Sequence, residues 1–217
     1  MRVLSFDVGI KNMSYCVING DFKSVLIEQW GIINIQQGDT SPSIEDCVTL
    51  TIDALSAKKD ELLQHPVNSI VIEMQPAGGH NVHANVKVKI ISHIIQSFFY
   101  TLFTSEGPSI SFVSAASKLV EMKKDMETGV FQIEMNNTTE DKKLRSRYAR
   151  NKKYSVFKTR QLLDCIPVDE NKVQAKEMFE KEKKQDDLAD SFLLGFYYLK
   201  KACKPVKVRA TKKLKTK

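Results

Sequence analysis

Four carboxylates stand out in this 217-residue chain because each lies at the end or the start of an apolar segment. Asp7 ends the run VLSF, Glu73 ends the run SIVI, and Asp187 and Asp190 lie at the start of DDLADSFLLGFYYL. Carboxylate oxygens are ligands that Mg²⁺ and Mn²⁺ prefer. Two such ions roughly 4 Å apart activate a water and stabilise the leaving oxygen in phosphodiester cleavage. The pattern therefore predicts a site for two Mg²⁺ ions, for which Mn²⁺ would substitute.

Asp7 and Glu73 also have structural interpretations. Asp favours turns, so Asp7 is compatible with a role in the following turn VGIKN. Glu73 is compatible with an ion pair to a lysine such as Lys87. We favour metal ligation for both, because an acid at the end of a central strand is costly to bury without a cation.

The paired acids Asp187 and Asp190 are three residues apart in a predicted helix. Acids in a first turn stabilise the helix dipole, but two acids at this spacing share one face and repel each other without a cation. Asp186 is expected to point elsewhere, as a cap or a solvent-exposed acid. His80 and His83 have H-x-x-H spacing, but zinc needs further ligands that the sequence does not supply, so we expect them to face DNA or solvent.

Composition indicates one soluble globular domain, with 42% hydrophobic and 27% charged residues. We assign residues 1–203 to this domain and 204–217 to a basic, disordered tail. No apolar run approaches the roughly 20 residues of a membrane span. The four scattered cysteines indicate reduced thiols in an intracellular protein. Because Met1 directly precedes a predicted strand, no transit peptide is expected.

Basic charge is concentrated in two segments, and the net charge is +7. The tail contains seven basic residues and no acid, and we expect it to attract DNA non-specifically. Residues 142–160 also lack acids and interleave Tyr148, Tyr154 and Phe157 with nine cations: Lys142, Lys143, Arg145, Arg147, Arg150, Lys152, Lys153, Lys158 and Arg160. Such a stretch contacts phosphates and stacks on bases. The alternative is a solvated helical face.

Hydrophobic periodicity predicts strands at 2–7, 14–19, 25–35, 68–73 and 109–113, and helices at about 43–64, 86–103 and 185–201. The first three strands form an antiparallel meander, and the fourth, apolar on both faces, lies inside the sheet. In the first helix, Ser41 is predicted to cap the N-terminus, and a buried stripe consists of Ile44, Val48, Ile52 and Leu55. In the last, Leu188, Phe192, Phe196 and Leu199 face inward. The order predicts an α/β fold with a mixed five-stranded sheet flanked by helices and a partly helical, basic insertion at about 118–180.

Three motifs carry a resemblance to a known family. FDVGIKNMSYCV resembles the first two strands of RuvC-like Holliday junction resolvases, in the ribonuclease H superfamily, and IEMQ resembles their fourth strand. KKQDDLADSFLLG is similar to the Lys-Lys-x-Asp-Asp-x-x-Asp-Ser motif of the poxviral and yeast mitochondrial members. The lysine-rich composition and the expected lack of a presequence favour the poxvirus type.

The resemblance implies a ribonuclease H-like fold and metal-dependent cleavage of four-way DNA junctions, leaving 5′ phosphate and 3′ hydroxyl ends. It implies a catalytic role for Lys118, near the scissile phosphate, beside the four acids. Lys11 and Asn12 are expected to shape the first hairpin and to contact the DNA backbone, and the basic insertion to bind DNA through Arg145, Arg147, Arg150, Lys152 and Lys153. For a poxvirus-type member, the expected location is the viral replication site in the host cytoplasm.

Two other classes remain open. Asp-x-Gly after a first strand also begins actin-like ATPases and sugar kinases, although these close on ATP with two such domains, and the chain has no G-x-x-x-x-G-K-[ST] phosphate loop. A non-catalytic protein that binds branched DNA through its basic surfaces is the second alternative.

Matched cuts in two strands of a four-way junction require two sites related by a two-fold axis, and one chain supplies one set of acids. We therefore predict a C₂ homodimer. The helix at 86–103 is predicted to form its interface through Ile91, Ile95, Phe99 and Phe103.

Overall fold

A five-stranded mixed sheet lies at the centre of the protein, in a computed structural model that describes residues 1–21, 24–36, 38, 41–75, 82–103, 106–131, 146–166 and 170–203. The strands are β1 (Arg2–Asp7), β2 (Met13–Gly20), β3 (Val25–Ile33), β4 (Ser69–Met74) and β5 (Ser109–Ser114). Their order across the sheet is β3-β2-β1-β4-β5. The β1–β2–β3 meander is antiparallel, whereas β4 runs parallel to both β1 and β5. The predicted meander and the interior position of β4 are confirmed.

Helices cover both faces of the sheet. In chain order they are α1 (Ile44–Leu62), α2 (Val82–Leu102), a 3₁₀ helix (Ala115–Leu119), α3 (Met122–Glu127), α4 (Arg147–Cys165), α5 (Glu170–Lys181) and α6 (Gln185–Ala202). Successive strand residues point to opposite faces: Leu4 packs in a core with residues of α1 and α2, whereas Val3 packs in a second core with α4, α5 and α6. The result is a three-layer α/β domain in which the described part of the basic insertion is largely helical.

The start and the orientation of α1 differ from the prediction. Its N-cap is Ser43, whose hydroxyl accepts from the Asp46 amide in a reciprocal capping box, so Ser41 is not the cap. Ile44 and Ile52 of the predicted buried stripe are 44% and 41% exposed. The sheet instead buries the stripe that contains Cys47, Thr51, Leu55 and Leu62, which shares only Leu55 with the predicted one.

The predicted dimer face of α2 is wrong, because it is the face that packs on the sheet. Ile91, Ile95 and Phe99 are fully buried, and Phe103 is partly buried against the same core. Because the most apolar stripe of a helix gains most from packing on the central strands, it is not available to a partner.

Helix α6 is held closely against the meander, with its predicted inward residues buried. At Gly195 an added Cβ would lie 2.6 Å from Ser5 Oγ, so the helix and β1 approach too closely for a side chain. Side-chain donors from all three meander strands bond to main-chain carbonyls of α6: Ser14 Oγ to Asp187 (2.5 Å), Ser5 Oγ to Ser191 (2.8 Å) and Trp30 Nε1 to Leu188 (3.0 Å). These bonds fix the first turns of α6 beside the C-terminal end of β1.

Among the described residues, no helix is both long and apolar enough to cross a membrane. The four cysteines are free thiols, as predicted.

Candidate active site

A buried lysine lies at the centre of three of the four predicted acids. The Lys118 ammonium is 3.1 Å from Asp7 Oδ1, 3.1 Å from Glu73 Oε1 and 2.9 Å from Asp190 Oδ2. Only 6% of Lys118 is exposed, and the three carboxylates are also largely shielded from solvent. The predicted convergence of acids from three separate elements is therefore present, with one shared cation.

The sheet explains why these groups meet. Asp7 is the last residue of β1 and Glu73 lies near the end of its parallel neighbour β4, so both carboxylates lie at the same edge of the sheet. Lys118 reaches that edge from the 3₁₀ helix after β5, whose N-cap hydroxyl, Ser114, accepts from the Ala116 amide. Asp190 reaches it from the first turns of α6.

The loop after Asp7 is tight. A Cβ at Gly9 would lie 2.7 Å from the Asn12 carbonyl oxygen, so the loop needs glycine there. The predicted DNA-contacting residues Lys11 and Asn12 lie in this loop, with Lys11 exposed and Asn12 half-buried.

Burial and charge act against each other at this site. Burial raises the pKa of Asp7 well above its usual range, opposed by Lys118 and assisted by the charge of Glu73. Burial likewise raises the pKa of Asp190, again opposed by Lys118. For the lysine, burial lowers the pKa, but the surrounding carboxylates outweigh it and hold the pKa above the ordinary range. Lys118 is therefore a protonated ammonium whose charge keeps carboxylates ionised in a dry site.

The fourth predicted acid, Asp187, pairs with a different lysine. Its Oδ1 is 3.7 Å from Lys152 Nζ, which α4 carries over the first turn of α6 and which also makes a close ion pair with Asp186. Burial and the charge of Asp186 raise the pKa of Asp187, whereas Lys152 lowers it. The expectation that Asp186 is a cap or a solvent acid is wrong, because Lys152 covers it and Lys184 is the N-cap.

The donor set fits a divalent cation. Within the described residues no group of three or more acid, histidine or cysteine side chains is already in ligating geometry. The reason is that the carboxylates surround an ammonium at hydrogen-bonding distances, whereas oxygen ligands lie about 2.0–2.1 Å from Mg²⁺. Asp190 Oδ1 is buried without a hydrogen-bond partner in the described part of the chain. A buried carboxylate oxygen without a partner beside two other carboxylates is chemically suited to a cation.

The basic stretch divides into internal and free cations. Lys158 is buried and paired with Glu121 (2.7 Å) and Asp125 (2.9 Å), and Arg160 pairs with Glu180 (2.8 Å). The ion-paired set also includes Lys152, whereas Arg147, Arg150 and Lys153 make no ion pair with any other described residue. Arg145, His80 and the side chain of His83 lie outside the described residues.

Sequence reasoning missed the buried network around Lys158. The Tyr154 hydroxyl donates to Asp125 Oδ2 at 2.8 Å, and the same oxygen accepts from Lys158. The partners are about 30 positions apart, and no short motif connects them. The Lys87 alternative for Glu73 is also not realised, because the Lys87 ammonium donates to Ser41 Oγ and the Pro42 carbonyl.

No family model matches the sequence, and no curated protein matches it significantly. Solved structures do match. The yeast mitochondrial Holliday junction resolvase Ydc2 aligns with 91% of this chain and 77% of its own, at 19% identity and a TM-score of 0.62. Fowlpox virus resolvase, solved with substrate Holliday junction DNA, aligns over 94% and 100% at 19% identity and a TM-score of 0.55. RuvC of T. thermophilus, in complex with a Holliday junction substrate, aligns over 94% and 95% at 10% identity and a TM-score of 0.52.

The chain therefore has the α/β, ribonuclease H-like fold of the RuvC-like Holliday junction resolvases, as the three motifs predicted. The similarity covers almost all of it and includes both a viral and a mitochondrial resolvase. The preference for the poxvirus type stays a prediction.

Lys118→Met should lower the free energy of unfolding by about 3–5 kcal/mol, because it leaves three buried carboxylates without their cation. Urea unfolding at neutral pH, with a chelator present, measures the change. Lys123→Met is the control, since that side chain on α3 is 90% exposed. Equal stability of the two variants would show that Lys118 does not hold the acids together.

Proposed function

We propose that this chain is a metal-dependent endonuclease that resolves four-way DNA junctions by paired, symmetric phosphodiester cleavage. The observation that supports this most directly is the convergence of Asp7, Glu73 and Asp190 at the C-terminal edge of parallel strands. The fold is shared with resolvases that were solved on Holliday junctions. In the poxvirus-type setting, the enzyme would act on recombining viral DNA in the host cytoplasm.

In this proposal Asp7, Glu73, Asp187 and Asp190 hold two Mg²⁺ ions, and Mn²⁺ substitutes for them. Bound ions of this kind lower the pKa of an attacking water and stabilise the departing 3′ oxygen. Lys118 contributes a fixed positive charge among the ligands, where it also attracts the scissile phosphate. The bonds from Ser14, Ser5 and Trp30 keep the two α6 acids in register with Asp7. Products with 5′ phosphate and 3′ hydroxyl ends follow from the resemblance.

A non-catalytic junction-binding protein is the second candidate. One observation favours it: Lys118 already pairs with three acids, so their burial does not by itself require a metal. In a protein that only binds DNA, however, a cluster of acids beside the basic surface would repel the ligand. Cleavage distinguishes the two candidates.

Asp7→Asn, Glu73→Gln, Asp187→Asn and Asp190→Asn should each abolish cleavage of a labelled four-way junction, while binding is retained or strengthened. Each change removes a ligand charge and no DNA contact. The matched control is Asp60→Asn, whose side chain is 96% exposed on α1. Near wild-type cutting by one of the four variants would remove that residue from the proposed site.

The DNA-binding surface is proposed to include Lys11, Asn12 and the predicted cations of the insertion. Of these cations, Arg147, Arg150 and Lys153 are the best placed, because no other described residue neutralises them. Arg145 stays part of the proposal, and Lys152 contributes while paired to Asp186.

Replacing Arg147, Arg150 and Lys153 together by Gln should weaken junction binding and flatten its salt dependence. Each lost phosphate contact lowers the slope of log K against log salt by about 0.9. Titrations at several salt concentrations measure the slope. A charge-matched control replaces Lys58, Lys176 and Lys181 by Gln, since each of these pairs with an acid on α1 or α5. Equal slopes for both triple variants would place the α4 cations in solvent, away from DNA.

The proposed homodimer needs a new interface, because the predicted one is buried. The outer faces of α1 and α2 form an apolar groove lined by Val48, Ile52, Ile90, Ile94 and Phe98. Ile52 is 41% exposed there, and Ile44 on the same face of α1 is 44% exposed. Contiguous exposed apolar surface of this kind is typical of interfaces. We place the two-fold axis on this groove.

Ile52→Asp should convert the dimer to a folded monomer, because a charge would be buried at the two-fold interface. Sedimentation at micromolar concentration should give about the 24.7 kDa chain mass, against roughly twice that for the wild type. Val173→Asp, on an equally exposed position of α5, should stay dimeric. A wild-type monomer that still makes paired cuts would contradict the dimer.

A further inference from the structure

A pocket beside the proposed catalytic acids has no role in the mechanism above. It lies between α4 and the segment after α3, encloses about 640 Å³, and has apolar walls formed by Val130, Phe131, Tyr148, Val156 and Phe157. We call it the Tyr148 pocket. Its volume is in the range of small-molecule sites, and a mostly apolar wall with few polar groups is typical of them.

Tyr148 and Val130 leave the pocket open to solvent. They are 69% and 47% exposed, which is unusual for large apolar side chains that lie close together. Behind them the wall is firm, because the Phe131 ring packs on Phe157 at 5.0 Å and on Tyr154 at 5.2 Å between ring centroids. An exposed aromatic ring in front of a packed aromatic wall suits a flat, apolar ligand.

Cations surround this opening and connect it to the acids. Lys152, Lys153 and Arg160 line the pocket together with Asp186. Lys152 Nζ lies 5.1 Å from the centre of the Tyr148 ring and 3.7 Å from Asp187 Oδ1, so one side chain contacts both the pocket and the proposed metal ligand. The charged rim suits a ligand that carries a phosphate next to its flat, apolar part.

We propose that the Tyr148 pocket binds a nucleobase that is unstacked from the DNA strand near the scissile phosphate. A nucleotide combines a flat ring with a negatively charged phosphodiester, which matches this wall and this rim. Base–aromatic stacking is sequence-tolerant and contributes substantially to single-strand binding. Extruding a base costs least where pairing is already weakened. The pocket would therefore favour a branch point over continuous duplex. This inference rests on the proposed function and adds a subsite to it.

A cycle of protein and DNA changes tests the contact directly. In full-length protein carrying Asp7→Asn, so that the DNA stays uncut, Tyr148→Ala is combined with junctions that lack one base at successive positions around the branch point. With the intact junction, Tyr148→Ala should weaken binding about tenfold or more. With the contacted base removed, the parent and Tyr148→Ala should bind equally well. Tyr148→Phe, which keeps the ring, should match the parent on every junction.

Two results would overturn the inference. One is unchanged junction binding by Tyr148→Ala, including the case in which only its thermal stability falls, because the pocket would then hold another part of the protein. The other is an equal loss at every abasic position, because Tyr148 would then act without contacting a base. Failure of the proposed function itself is seen separately, as absence of junction binding and cleavage by the wild-type protein.

Discussion

The ion cluster of Lys118 with Asp7, Glu73 and Asp190 is the constraint on which the site depends. Three carboxylates that are largely shielded from water repel one another, and burial alone raises their pKa values or drives them apart. A single ammonium at 2.9–3.1 Å from each offsets that repulsion. The cluster also joins three parts of the chain that are distant in sequence: the end of β1 and β4, the segment after β5, and α6.

The rest of the fold positions the members of this cluster. Parallel pairing of β1 with β4 brings two acids to one edge, and the close contact at Gly195 lets α6 lie against β1. On the other side, the buried contacts of Lys158 with Glu121 and Asp125 fix α4 next to α3. Helix α4 then carries Lys152 over Asp187, so the basic insertion and the acid site form one continuous surface.

The sequence predicted most of this site because its signals are local. An acid that directly follows an apolar strand, as Asp7 and Glu73 do, indicates the edge where such acids meet. The helix faces were harder to predict, because α2 has two apolar stripes: Ile91 and Ile95 on one side, and Ile90 and Ile94 on the other. Periodicity does not distinguish which stripe faces the sheet, and the predicted dimer interface was wrong for that reason. The pairing of Asp186 with Lys152 depends on how α4 docks, which no local pattern encodes.

The most direct test of the central claim is cleavage of a labelled synthetic four-way junction by the wild-type protein, with a chelator alone and then with Mg²⁺ or Mn²⁺. A metal-dependent resolvase should bind the junction under both conditions and should make paired, symmetric cuts only when the ion is added. Tight junction binding without cuts in either metal would contradict the account. In that case Lys118 would be the permanent cation of this cluster, and the protein would be a junction-binding protein.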